Sequence, residues 1–195
     1  MKIKLSKNVI VTDPCYDTNT WCQRKFDNVL EGVYKTNCYV VDTGDWGNRC
    51  SILTAVHEKC NIQDLKWQID PAEIGVDSGQ AGIFDLSSYR KDDIKMVVPT
   101  VGLDGKGFNW LEQIHKPVEK GDQWYLNISK ITLSKKMWGG YKNGVVCRSG
   151  YGDGGYSLYV AKDKENIIAF CIDFKVVDIK EYFKVSSSIN KIKNI

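Results

Sequence analysis

The sequence predicts a mainly β fold, an antiparallel sandwich or partly open barrel with one or two short helices. Three observations predict it. Hydrophobicity alternates with period two along most of the chain, turn residues recur about every 8–12 residues, and no long amphipathic helix is visible. No internal linker interrupts the 195 residues, so residues 1–183 are expected to form a single β-rich domain. Residues 184–195, "KVSSSINKIKNI", are expected to be a basic, polar, frayed tail.

The elements follow in chain order. "KIKL" and "NVIVT" read as short strands around the Ser6-Lys7-Asn8 turn. Residues 29–57 read as strands joined by turns, the widest being Gly44-Asp45-Trp46-Gly47-Asn48; the apolar and β-branched runs at 39–41 and 52–56 suit a sheet. "EIGVDSGQAGIFD" is a strand pair or one bulged strand, with Gly79 and Gly82 permitting the bend. "IKMVVPTVGLDGKGFNW" holds one strand, ended by Pro99 and the Asp104-Gly105 turn. In "GDQWYLNISKITLSK", Trp124, Ile128 and Ile131 share a helical face while Ile131 and Leu133 alternate, so a short helix running into a strand is expected. Residues 144–148, 156–161 and 167–177 complete the strands, the last two joined through Asp163-Lys164-Glu165-Asn166. A weak echo links "VIVTDPCY" with "AGIFDLSSY": each runs from an apolar strand to an aspartate (Asp13, Asp85) and then a tyrosine.

Composition narrows the function classes. With 43% hydrophobic and 26% charged residues the chain is globular, and a net charge of +3 without an arginine patch points to neither a nucleic-acid partner nor an acidic mimic of one. Seven cysteines, odd in number and irregularly spaced, behind an N-terminus with no signal-peptide core, read as reduced thiols in a cytoplasmic protein. No apolar run is long enough to cross a bilayer. No cofactor or metal is expected: there is no C-x-x-C, and His57 and Cys60 form an isolated H-x-x-C with Cys50 as the nearest extra thiol. Only His57 and His115 could serve as an imidazole base, which leaves little for a Ser-His or Cys-His couple.

Four motifs carry candidate chemistry. In "DPCY", Pro14 biases Asp13 to an extended conformation, from which its carboxylate accepts from the following turn or faces a ligand. Asp77 and Asp85 in "VDSGQAGIFD" either cap turns or, if brought together, do acid–base work or hold a divalent metal. "CRSGYGDGGYSLYV" reads as a tight glycine turn first and the rim of a cleft second. It lacks the Lys-Ser/Thr and the following helix of a phosphate-binding P-loop. In "GDWGNR", Trp46 and Arg49 share one turn, where Trp46 either folds back onto the sheet or stacks on a flat ligand whose phosphate Arg49 pairs; Arg148 is a further cation beside the glycine turn.

Taken together, "VTDPCY", "VDSGQAGIFD" and "SGYGDGGYSLYVAKDKENIIAFCIDF" resemble an uncharacterised phage and bacterial domain-of-unknown-function family of the DUF4241 type. Its elements are Asp77-Ser78-Gly79, Gly152-Asp153-Gly154 with Tyr156, and Ile172-Asp173-Phe174. The resemblance implies a phage or bacterial cytoplasmic origin and a β-rich domain, and it carries no activity.

Three functional readings follow. The first is a binding protein, a counter-defence protein that sequesters a nucleotide-like signal, with Tyr16, Trp46, Arg49, Gln80, Arg148, Tyr151, Asp153 and Tyr156 lining one pocket. The second is a metal-assisted hydrolase or phosphodiesterase built on Asp13, Asp77, Asp85 and Asp153. The third is a protein–protein inhibitor that docks a host protein on exposed aromatics. An exposed edge strand would favour homo-oligomers, and no membrane or nucleic-acid partner is expected.

Overall fold

In the computed structural model, which describes residues 1–91 and 122–183, the strands build two antiparallel sheets. One sheet has the order β1-β4-β5-β12-β11-β6: β1 is Lys2–Leu5, β4 Gly32–Asp42, β5 Asn48–His57, β6 Trp67–Ile69, β11 Gly154–Asp163 and β12 Asn166–Asp173. Strand β7 (Ile74–Val76) also pairs with β11. The other has the order β3-β2-β8-β10-β9: β2 is Val9–Thr12, β3 Arg24–Phe26, β8 Gln80–Asp85, β9 Trp138–Tyr141 and β10 Gly144–Arg148. This is the sandwich expected from the period-two pattern. The strand expected near Pro99, His115 and the tail lie outside the described residues.

Alternation explains the layers. Val9 and Val11, Ala81 and Ile83, Val145 and Cys147 point between the sheets, where they meet Leu5, Tyr34, Leu53, Leu158, Phe170 and Ile172. Their neighbours Ile10, Phe84 and Val146 point outward and are buried under helix α1 (Asp122–Thr132), together with Tyr89, Trp124 and Ile128. The outer face of the first sheet is closed by Leu30, Ile62, Leu65 and Trp67 over Val56, Ala161, Ile168 and Ala169. A strand with water on neither face is apolar nearly throughout: β2 is buried at all four positions, with Val9, Ile10 and Val11 followed by Thr12, whose hydroxyl donates to the Asp13 carbonyl.

Some connections differ from the expected ones. β1 and β2 flank the Ser6 turn but pass to different sheets, and so do β7 and β8. The switch at β7–β8 is made by Gly79, whose φ of +66° is a left-handed conformation that glycine reaches without strain. The strand expected at Ile131–Leu133 does not form. The helix continues through Thr132, which bonds back to the Ile128 and Ser129 carbonyls, and Leu133 is exposed. Burial of Trp124 and Ile128 on one helical face outweighs a two-residue alternation. β12 ends at Asp173 rather than 177, because the Asp173 carboxylate accepts from the Lys175 amide and turns the chain.

The sequence echo has a spatial counterpart. β2 and β8 pair antiparallel with Val11 opposite Ile83, so the two halves are related by a local two-fold through that pair. Asp13 and Asp85 therefore leave the sheet at opposite ends of the same strand pair. Each carboxylate accepts from the amide two residues on, Cys15 for Asp13 and Ser87 for Asp85.

Candidate functional site

The turns that follow β2 and β10 and precede β8 meet at one end of the sandwich, and Asp13 is their hub. Asp13 is fully buried. Its Oδ1 accepts from the Cys15 amide at 2.8 Å and the Ser78 hydroxyl at 2.6 Å. Its Oδ2 accepts from the amides of Asp77 at 2.9 Å and Ser78 at 2.7 Å. Next to it, Asp153 accepts from the Gly79 amide at 2.9 Å, and the Tyr16 hydroxyl donates to Asp77 at 2.5 Å. DPCY, DSG and the glycine turn are thus stitched to one another by carboxylates that accept backbone amides freed where strands end.

The rest of the corner is equally tied down. The Tyr89 hydroxyl reaches the Tyr16 carbonyl at 2.7 Å, Arg90 donates to the Pro14 and Cys15 carbonyls, and the Trp124 indole donates to the Pro14 carbonyl at 3.2 Å. Gln80 is buried and clamps α1, donating to the Tyr125 hydroxyl and accepting from Thr132. Arg148 donates from Nε to the Thr132 carbonyl at 2.8 Å, satisfying an orphan acceptor at the helix end. The buried Tyr156 hydroxyl contacts the Ser149 and Gly152 carbonyls at 3.0 and 2.7 Å and so shapes the glycine turn. At Gly150, φ is +51° and a Cβ would lie 2.9 Å from the Phe174 carbonyl, so the turn has room for glycine only.

Three residues stand apart from this internal bonding. Trp46 is 69% and Tyr151 57% exposed, their rings 6.4 Å apart and edge to face, and the Arg49 guanidinium lies 5.7 Å from the Tyr151 ring centre. The Arg49 Nε is buried without a hydrogen-bond partner among the described residues. Tyr151 and Asp153 belong to the same turn, so this aromatic and cationic patch adjoins the motif junction. A separate recess of about 370 Å³ lies beside the DPCY corner, lined by Asp17, Thr18, Lys25, Leu86, Tyr89, Arg90 and Lys91, with Arg90 paired to Asp17 at 3.0 Å.

Of the residues read as a single pocket, Tyr16, Gln80, Arg148, Asp153 and Tyr156 come together through bonds within the fold, while Trp46, Arg49 and Tyr151 offer an open face. Of the four aspartates, Asp13, Asp77 and Asp153 surround one turn. Asp85 does not join them: it ends β8, five residues from Gln80 and about 17 Å along the strand. Burial, then the Asp13 carboxylate, pushes the Cys15 thiol up to about 12, so it is not a thiolate at neutral pH. Burial, then the hydrogen bond to Asp77, likewise raises Tyr16. Sequence reasoning missed Trp124, Tyr125 and Thr132 as partners of the corner; their helical spacing was the available signal.

Asp85 makes a pH prediction. Burial acts to raise its carboxyl, but hydrogen bonds from Ser87 and the Ser6 amide outweigh it and hold the group below the ordinary carboxylate value. A depressed folded value stabilises the fold above the unfolded value of about 3.9, and that contribution is lost as pH falls through the folded value. Urea midpoints of wild type and Asp85→Asn, compared at about pH 6 and about pH 3, should differ more at the higher pH. An equal gap at both would show that Asp85 carries no such linkage.

Fold and site define a two-sheet β domain with two short helices, α1 and residues 179–183, and an end locked by carboxylate–amide bonds. The DUF4241 family, described as proteins of unknown function, matches residues 4–172, and the chain belongs to it. No curated protein and no solved structure matches. Among the described residues, no helix is long and apolar enough to cross a membrane.

Proposed function

We propose that the protein binds a planar, anionic, nucleotide-like ligand on the face made by Trp46, Arg49 and Tyr151, and that it sequesters this ligand without turning it over. One observation carries the reading: two exposed rings meet edge to face, and the Tyr151 ring lies beside a guanidinium whose buried Nε has no hydrogen-bond partner among the described residues. Rings stack on a base, and a guanidinium both stacks and pairs with phosphate oxygens. Sequestration is favoured over hydrolysis because Asp13, Asp77, Asp85 and Asp153 all accept hydrogen bonds from within the fold. Neither oxygen of Asp13 is left to a metal. A counter-defence role in a bacterial cytoplasm fits such a binder, and seven free cysteines fit a reducing compartment.

The test is a melting-temperature screen with cyclic nucleotides and ADP-ribose derivatives. At least one should raise the melting temperature by more than about 2 °C, and Arg49→Ala and Trp46→Ala should each weaken that ligand at least about tenfold. A screen without a shift overturns the reading. A shift abolished by Lys25→Ala but kept by Arg49→Ala would place the ligand in the recess and overturn it as well.

A further inference from the structure

Cys38 on β4, Cys50 on β5 and Cys147 on β10 are all buried, and their sulfur atoms lie within 4.8 Å of one another. β4 and β5 belong to one sheet and β10 to the other, so the three thiols meet across the interior of the sandwich. They are far apart in the chain, and no metal-type spacing announces them. We propose that these three cysteines form a buried three-sulfur site for one soft, thiophilic d10 cation, Zn(II) or Cu(I).

Geometry favours the site. Three sulfurs placed about 2.3 Å from a central ion in a plane are about 4.0 Å from each other, so the trio has to contract by less than an ångström. Thiolate is the donor that such ions select, and the three cysteines belong to the apolar core cluster between the sheets. The Cys50 thiol donates to the Met137 carbonyl at 3.8 Å, and the Arg148 amide donates to the same carbonyl. Met137 holds a φ of +62°, a left-handed conformation rare for a residue with a side chain. Cysteines also serve as small apolar core residues, and that packing role needs one such residue per position rather than three in mutual contact from three strands. On binding, each thiol that becomes a ligand releases its proton to solvent, up to three per ion, and no electron is transferred.

The experiment uses the full chain, reduced and freed of metal by chelator, titrated separately with Zn(II) and with Cu(I) under anaerobic conditions. Native mass spectrometry counts bound ions, ultraviolet thiolate-to-metal absorption reports sulfur ligation, and competition with a chelator gives affinity. One equivalent of at least one ion should bind with a thiolate band, and Cys147→Ala should weaken it at least a hundredfold, whereas Cys60→Ala should bind as wild type does. Binding of one ion and not the other identifies the occupant. If wild type takes up neither ion stoichiometrically, or if Cys147→Ala and Cys38→Ala both bind as wild type does, the site is refuted. The wild-type stoichiometry decides the matter even where a cysteine variant fails to fold.

Discussion

Asp13→Ala is expected to destabilise the protein by about 3–5 kcal/mol, among the largest effects of any single polar substitution in this chain. The carboxylate accepts from three amides, those of Cys15, Asp77 and Ser78, and from one hydroxyl. Alanine would strand these donors at a position with no exposed surface. Each unsatisfied buried donor costs about 1–3 kcal/mol, and local relaxation with water entry recovers part of that. Asp13→Asn preserves volume but places an NH2 group where amides point, so it should cost nearly as much. Urea unfolding measures both variants: a fall in the midpoint without a change in slope is the expected form. A loss below about 1 kcal/mol for Asp13→Ala would mean that the corner is held elsewhere and that Asp13 is free for another role.

Why Asp13 was half legible is instructive. Its local bond to Cys15 follows from the Asp-Pro sequence, because proline fixes the preceding residue in the extended region from which an Asx turn closes. Its partners at 77 and 78 were not legible, because they depend on β7 leaving for one sheet while β8 enters the other. No period-two pattern encodes that switch. The sandwich itself was readable because strands buried on both faces are apolar at successive steps, as in VIV and VVC. The helix was readable from Trp124 and Ile128, but its end was not, since Ile131 and Leu133 satisfy both periods and only tertiary burial decides. Gln80, Arg148 and Tyr156 attracted notice as polar or aromatic groups beside glycines. Strand ends free backbone carbonyls and amides, and side chains of this type are what satisfies them. Trp46, Arg49 and Tyr151 look the same in sequence; the exposure of the two rings and the unpartnered Arg49 Nε set them apart. The cysteine trio was unreadable, because strand order, not spacing, brings 38, 50 and 147 together.

The second large effect is expected at Trp124, and it separates the stability of the sandwich from the stability of its helix. Trp124 is fully buried, its ring edge to face with Phe84, Tyr89 and Tyr141 at centroid distances of 5.3, 5.1 and 5.5 Å. Truncation to alanine should cost about 3–5 kcal/mol, from lost apolar burial plus the cavity left behind. The loss has a direction in the structure. The indole also donates to the Pro14 carbonyl, so removing it loosens α1 and the DPCY corner together, while the interior between the sheets keeps its own contacts. Hydrogen exchange should therefore show amides of 122–132 and of 13, 15 and 16 losing protection by a larger factor than those of β5 and β12. Trp124→Phe restores an aromatic body without the donor and should recover most of the stability but not the protection at 15 and 16. Uniform loss of protection across both sheets in Trp124→Ala would instead mean that helix and sandwich unfold as one unit, and that the end of the molecule carrying the motifs has no independent freedom to respond to a ligand.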